Sequence, residues 1–179
     1  MRCTCGRAAR TRLSVQGPLC GRCIERQFAK RISSSLKAGI PTRNQRIVLL
    51  DDSTAEAAAA RWFLTVRLSG LALRIVTERI PCSWKARRLA LRRNAVVPWR
   101  MEDELRLFLE EPKKLGRSGR ALRLPRVLSD EESRALAATL KLNATRKLVH
   151  PFGELLKRDP AACHGWLKSL EWLRGERRA

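Results

Sequence analysis

The sequence predicts an α/β fold: a parallel sheet with helices packed on it, preceded by an N-terminal zinc-finger module and a basic helix. Three observations carry this. Two close cysteine pairs, Cys3/Cys5 and Cys20/Cys23, open the chain. Beyond them, short apolar runs alternate with helical segments, the order that builds βαβ units. The first such junction, after Arg46-Ile47-Val48-Leu49-Leu50, is a tight turn leading straight into a helix. Residues 1–38 are read as the zinc-binding module with its basic helix, and residues 39–179 as the α/β domain.

Cys3 and Cys5 form a C-x-C pair, and Cys20 and Cys23 a C-x-x-C pair just after Gly17-Pro18. Two close thiolate pairs joined by a turn-rich excursion bring four sulfurs to the corners of a tetrahedron, which is how structural zinc is held. The single spacer of the first pair is unusual for such clips; free or disulfide-bonded thiols are the plain alternative. From Ile24 to Ala38, Ile24, Phe28, Ile32 and Leu36 recur every fourth position as one helical stripe, with Arg26, Lys30 and Arg31 on the other faces. Residues 1–50 hold eleven basic side chains and one acid, Glu25.

The formal charge is +21, from Lys+Arg 38 against Asp+Glu 17. Such an excess repels itself and favours a polyanion, so nucleic acid is the expected partner. Arginine dominates the basic residues, and its planar fork suits phosphate contacts. No run of 18 apolar residues is present, so no membrane span is expected. Six cysteines in metal-type spacing, with no apolar signal core, predict a reducing cytoplasm.

Ser53-Thr54-Ala55-Glu56 matches a capping box that opens an Ala-rich helix to about Arg67. Phosphate-binding turns use glycines to converge backbone N–H groups on an anion. This turn has none, and it carries Asp51, Asp52 and Glu56, so it is expected to repel a nucleotide. Leu71–Thr77 reads as a second strand. Trp84–Arg93 reads as a helix with Arg87, Arg88, Arg92 and Arg93 on its polar side. Asn94–Val97 reads as a third strand, and Met101–Glu111 as a helix burying Met101, Leu105, Phe108 and Leu109. Its acids Glu102, Asp103 and Glu104 sit where the helix dipole favours them. Lys113–Arg126 reads as a basic loop, with Lys113, Lys114, Arg117 and Arg120 placed for phosphate. Ser129-Asp130-Glu131-Glu132 is a second capping box, opening a helix to about Leu142. A last helix carries Cys163, Trp166, Leu167, Leu170 and Leu173 as its apolar stripe.

With these elements placed, the chain resembles a shortened, degenerate member of the PP-loop ATPase superfamily, similar to the enzymes of tRNA 2-thiouridine and 2-thiocytidine synthesis. The opening MRCTCGRAARTRL…LCGRCIERQFAKRI resembles that family's N-terminal zinc finger and the helix leading from it. WRMEDELRLFLEEP resembles its H-N-L-D-D-E-A-E-T-F-L segment, and LPRVLSDEESRALAATLKL its R-P-L-x-x-V-x-E-x-E-x-x-x-Y-A segment. The implied fold is a truncated Rossmann-like sheet of the PP-loop, or adenine nucleotide alpha hydrolase-like, type.

The departures bear on activity. The family's Ser-Gly-Gly-x-Asp-Ser loop falls on Asp52, Ser53, Thr54, Ala55, Glu56 and Ala57, with both glycines and both serines gone from their places. Many members hold an iron–sulfur cluster on a C-x-x-C pair and a distant cysteine. Here Cys82 resembles the first ligand, Lys85 stands at the second, and Asn143 lies near the third. The resemblance therefore implies a non-catalytic, tRNA-binding relative, or a partner subunit of an active thiolase, with zinc as its cofactor. Two other readings are an active ATP-dependent tRNA sulfurtransferase with an unusual loop, and an architectural zinc protein on other nucleic acid.

Overall fold

The computed structural model describes residues 1–36, 41–91, 93–110 and 121–148, with residues 158, 159, 162, 165, 166 and 169 beyond them. Arg92, Lys113, Lys114, Arg117, Arg120, Cys163 and most of the last apolar stripe lie outside the described residues.

The chain opens with an antiparallel hairpin, β1 (Thr11–Leu13) and β2 (Gly17–Leu19), whose turn ends on Gly17 at φ 71°. Helix α1 (Gly21–Ser35) follows at once. Its stripe falls as the four-residue period predicts: Ile24, Phe28, Ile32 and Leu36 are all buried. The helix starts three residues earlier than expected because Cys20, in extended conformation, is its N-cap. The α/β unit then runs β3 (Arg46–Asp51), α2 (Ala55–Trp62), β4 (Arg74–Arg79), α3 (Trp84–Ala90), β5 (Val96–Pro98), α4 (Met101–Glu110), β6 (Leu122–Leu124) and α5 (Asp130–Thr139). A π-turn, Phe63–Arg67, and a 3-10 turn, Ser69–Leu71, prolong α2.

All pairings in the four-stranded sheet are parallel, in the order β4-β3-β5-β6. Alternation along the strands divides the core in two. Ile47, Leu49, Val96 and Leu124 pack with α1, α2 and α5, while Leu50 and Val97 face Ala90, Trp99 and Leu107 on the other side. Cys3, Leu13, Leu19, Cys20 and Cys23 belong to the first of these cores, so the cysteine head and the sheet share one apolar interior. At about 1.5–3 kcal/mol per large apolar side chain, Phe28, Ile24 and Ile32 make α1 a structural seam between them.

Three local expectations change. The Lys113–Arg126 segment holds β6, a strand that the Leu-Arg-Leu alternation signals only weakly. Helix α4 buries Leu107, whereas Leu109 is exposed and Phe108 half-buried. The cap of α2 is Thr54, whose hydroxyl accepts from the Ala57 N–H, and Ser53 takes φ 62° one residue ahead of it.

Candidate functional sites: a thiolate cage and an arginine-filled turn

The first site is built by the hairpin. Cys3 and Cys5 sit in a tight turn in which the Gly6 N–H donates to the Cys3 carbonyl and the Cys3 N–H to the Arg7 carbonyl. Cys20 caps α1 and Cys23 lies in its first turn, where the helix dipole favours thiolate. The four Sγ atoms lie within 4.8 Å of one another, with Cys5 and Cys20 at 3.5 Å. The backbone amides of Cys5 and Cys20 hold the Cys3 thiol down to about 6, against the effect of burial. The amide of Cys23 lowers Cys20. Cys23, crowded by the other three sulfurs, is pushed up to about 12. A set of four soft donors of this kind can hold a metal ion. Among the described residues it is the only such cluster. An open groove beside Cys20 is lined by Arg7, Arg10, Arg22 and Glu25, and reaches Thr139 at the end of α5 and Leu140, its C-cap.

The second site lies at the carboxyl ends of β3 and β5. The chain leaves β3 toward β4 and then crosses back over β3 to β5, so the crevice between β3 and β5 is the switch point where open α/β sheets bind ligands. Here the crevice is filled from within. Arg87, carried in by α3, is fully buried. Its Nε donates to Asp52 at 2.7 Å, one terminal nitrogen to Asp103 at 2.7 Å, and the other to the Thr54 hydroxyl at 2.9 Å and to Glu56 at 3.2 Å. Arg100, also buried, bonds Glu56 at 3.3 Å, Asp130 at 2.6 Å and the Leu148 carbonyl at 2.7 Å. The segment bearing Leu148 crosses the turn itself, where the Thr145 and Arg146 N–H groups both donate to the Ser53 carbonyl.

At the centre, the guanidinium groups of Arg87 and Arg100 face five carboxylates, those of Asp52, Glu56, Glu102, Asp103 and Asp130. For Glu56, Glu102 and Asp103, burial pushes toward the neutral form and proximity to arginine opposes it. For Glu56, Arg87 and Arg100 overcome burial and leave it below its ordinary value. For Glu102, burial prevails over Arg100 and raises it to about 7. Asp103 is also raised, by burial against Arg87 and Arg100. Burial and the neighbouring Asp52 raise the Cys82 thiol, which disfavours the thiolate a nucleophile needs.

Several expected site residues are thereby reassigned. Arg87 is not a phosphate contact: its guanidinium is consumed in the interior. The Glu102-Asp103-Glu104 triplet is not explained by the helix dipole alone, because Asp103 holds Arg87, Glu102 accepts from the Asp130 N–H, and Glu104 pairs with Arg123. Arg31 is tied down, donating to Glu132 at 2.5 Å and to the Val127 carbonyl. Arg26, Lys30 and Arg88 stand on the surface, as does Arg93, which binds Glu78 through both terminal nitrogens. Cys82 is half-buried, and Lys85 and Asn143 are exposed. Arg100 and the 145–148 segment are not singled out by the sequence, and Asp130 is legible only as part of a capping box, not as a partner of Arg100. A signal existed: a chain so poor in acids clusters five of them at Asp51, Asp52, Glu56, Glu102 and Asp103, and buried carboxylates need partners.

A parallel sheet of this order, with its crevice between β3 and β5, defines a Rossmann-like α/β protein carrying a four-cysteine head. That fold matches a solved tRNA thiolase: the U34-tRNA thiolase NcsA from Methanococcus maripaludis, solved with its 4Fe-4S cluster, superposes with a TM-score of 0.66 at 14% identity. The match covers 98% of this chain and 87% of that one. No protein-family model and no curated protein matches the chain. Among the described residues, no helix is long and apolar enough to cross a membrane.

Proposed function

We propose that this protein is a non-catalytic, RNA-binding relative of the tRNA thiolation enzymes, acting on its own or as the partner of an active thiolase. The observation that carries the reading is Arg87. The turn after β3, where the resemblance places a pyrophosphate loop, surrounds an internal guanidinium with Asp52, Thr54 and Glu56 instead of an open anion cradle. A nucleotide phosphate would have to displace a buried cation and then face carboxylates, and such a site disfavours it on both counts.

RNA binding is supported by the +21 charge and by the groove of Arg7, Arg10 and Arg22 beside the cysteine head, continued along α1 by Arg26 and Lys30. We assign the head a single tetrahedral ion, zinc first. Its four sulfurs lie as close together as thiolates about 2.3 Å from one ion require, whereas a cubane cluster spreads its ligands over four irons. The ion would fix Cys3 and Cys5 against the start of α1 and so hold the basic groove in place.

The test is the thionucleoside content of tRNA, by mass spectrometry, in cells with and without the gene. Loss of a 2-thiolated base, restored equally by the native chain and by a Cys82→Ser copy, is the expected result. Unchanged thiolation would contradict the link to tRNA thiolation. Restoration by the native chain alone would contradict the non-catalytic role.

A further inference from the structure

The sheet ends on β4, a six-residue strand without proline, and among the described residues β3 is its only strand neighbour. Five of its six residues are exposed, Ile75 being the exception, and Val76 is 41% exposed. With no strand on its outer edge among the described residues, and with Arg74, Val76 and Glu78 exposed on one face and Thr77 and Arg79 on the other, β4 is a template for another strand.

The hydrogen bonds fix which residues that edge offers. The Arg74 N–H donates to the Gln45 carbonyl at 3.0 Å and the Ile80 N–H to the Asp51 carbonyl at 2.9 Å. Even-numbered residues therefore direct their backbone groups at β3, and Ile75, Thr77 and Arg79 direct theirs outward. An antiparallel partner must place outward residues opposite one another in its hydrogen-bonded pairs. For two copies of β4 only a few registers do so. Centring on Glu78 sets like charges face to face, and centring on Thr77 sets Val76 against Glu78. Centring on Val76 pairs Ile75 with Thr77 through the backbone and, in the close non-hydrogen-bonded positions, sets Arg74 opposite Glu78 twice. We propose that β4 pairs with β4 of a second copy in this register, joining two four-stranded sheets into one across a twofold axis. Opposite charges at directly facing positions favour the register, and the isologous geometry repeats each contact. Glu78 has acceptor capacity for Arg74 of the second copy beside Arg93, which it already binds.

The inference stands apart from the RNA-binding reading, and its test uses RNA-free full-length protein in salt sufficient to screen the +21 charge. Sedimentation equilibrium is expected to show a concentration-dependent species of twice 20.4 kDa. Arg74→Glu alone and Glu78→Arg alone should each abolish it, and the double swap should restore it. Thr77→Pro removes an outward N–H without touching the β3 ladder, and should also give a monomer with an unchanged circular dichroism spectrum. In the dimer, the Ile75 and Thr77 amides should gain protection from hydrogen exchange. A monomer at every concentration, or a dimer indifferent to Thr77→Pro and to the charge swap, would overturn the proposal.

Discussion

Arg87 Nε lies 2.7 Å from Asp52 Oδ2, with both side chains fully buried, and this pair closes the turn after β3 from the inside. The same guanidinium reaches Asp103 at the start of α4, so β3, α3 and α4 meet on one cation.

Arg87→Met leaves Asp52 and Asp103 without their cation, and losing one partner of a buried pair costs about 3–5 kcal/mol. Urea denaturation should show a loss of that order. Adding Asp52→Asn and Asp103→Asn should recover part of it, since the stranded charges are then gone. A loss under about 1 kcal/mol, as for an exposed pair, would contradict the buried geometry.

Glu102 gives a pH dependence with a definite sign. Its folded pKa of about 7 lies above the ordinary 4.5, so its contribution is fully present below pH 4.5 and is lost as pH rises toward 7. Glu102→Gln should therefore gain on the native chain across that window, by up to about 3 kcal/mol at 1.36 kcal/mol per pKa unit. Stability curves at several pH values read this directly. A gap that does not widen with pH would contradict the assignment.

Metal removal should loosen the head, because Cys3, Cys20 and Cys23 sit in the same core as Ile24 and Phe28. A strong chelator is expected to lower Tm, and metal analysis should give one ion per chain. Four irons with a visible absorption band would instead indicate a cluster.

On RNA, Arg26→Ala and Lys30→Ala should each weaken binding and reduce the slope of log K against log salt by up to about 1. Arg31→Ala should lower stability through Glu132 and leave the slope nearly unchanged, because its nitrogens are already held. Equal effects of Arg31 and Arg26 on the slope would contradict this division.

What the sequence shows and hides follows from range. The α1 stripe and the Ser129–Glu132 capping box are local, and both form as read; the box is complete, with each partner bonded to the other's backbone. Arg87 was legible as helical but not as buried. Its neighbours in sequence place it on a basic face, and only the crossing of α3 over the β3 turn brings it to Asp52, 35 residues away. The cap of α2 moved from Ser53 to Thr54 because Asp51 and Asp52 bend the turn through their own side chains, which accept from the Ser53 and Thr54 N–H groups. Strand β6 is three residues long and takes its place from pairing with β5, a contact with no local signature.

The most direct measurement is thermal unfolding of the metal-loaded protein with Mg·ATP and, separately, with tRNA. A ligand at a thousand times its Kd adds about 4 kcal/mol of stability. The arginine-filled turn predicts that Tm stays unmoved by ATP and rises with tRNA at low salt. A rise with ATP that Asp52 and Glu56 substitutions abolish would show a working nucleotide site and contradict the account.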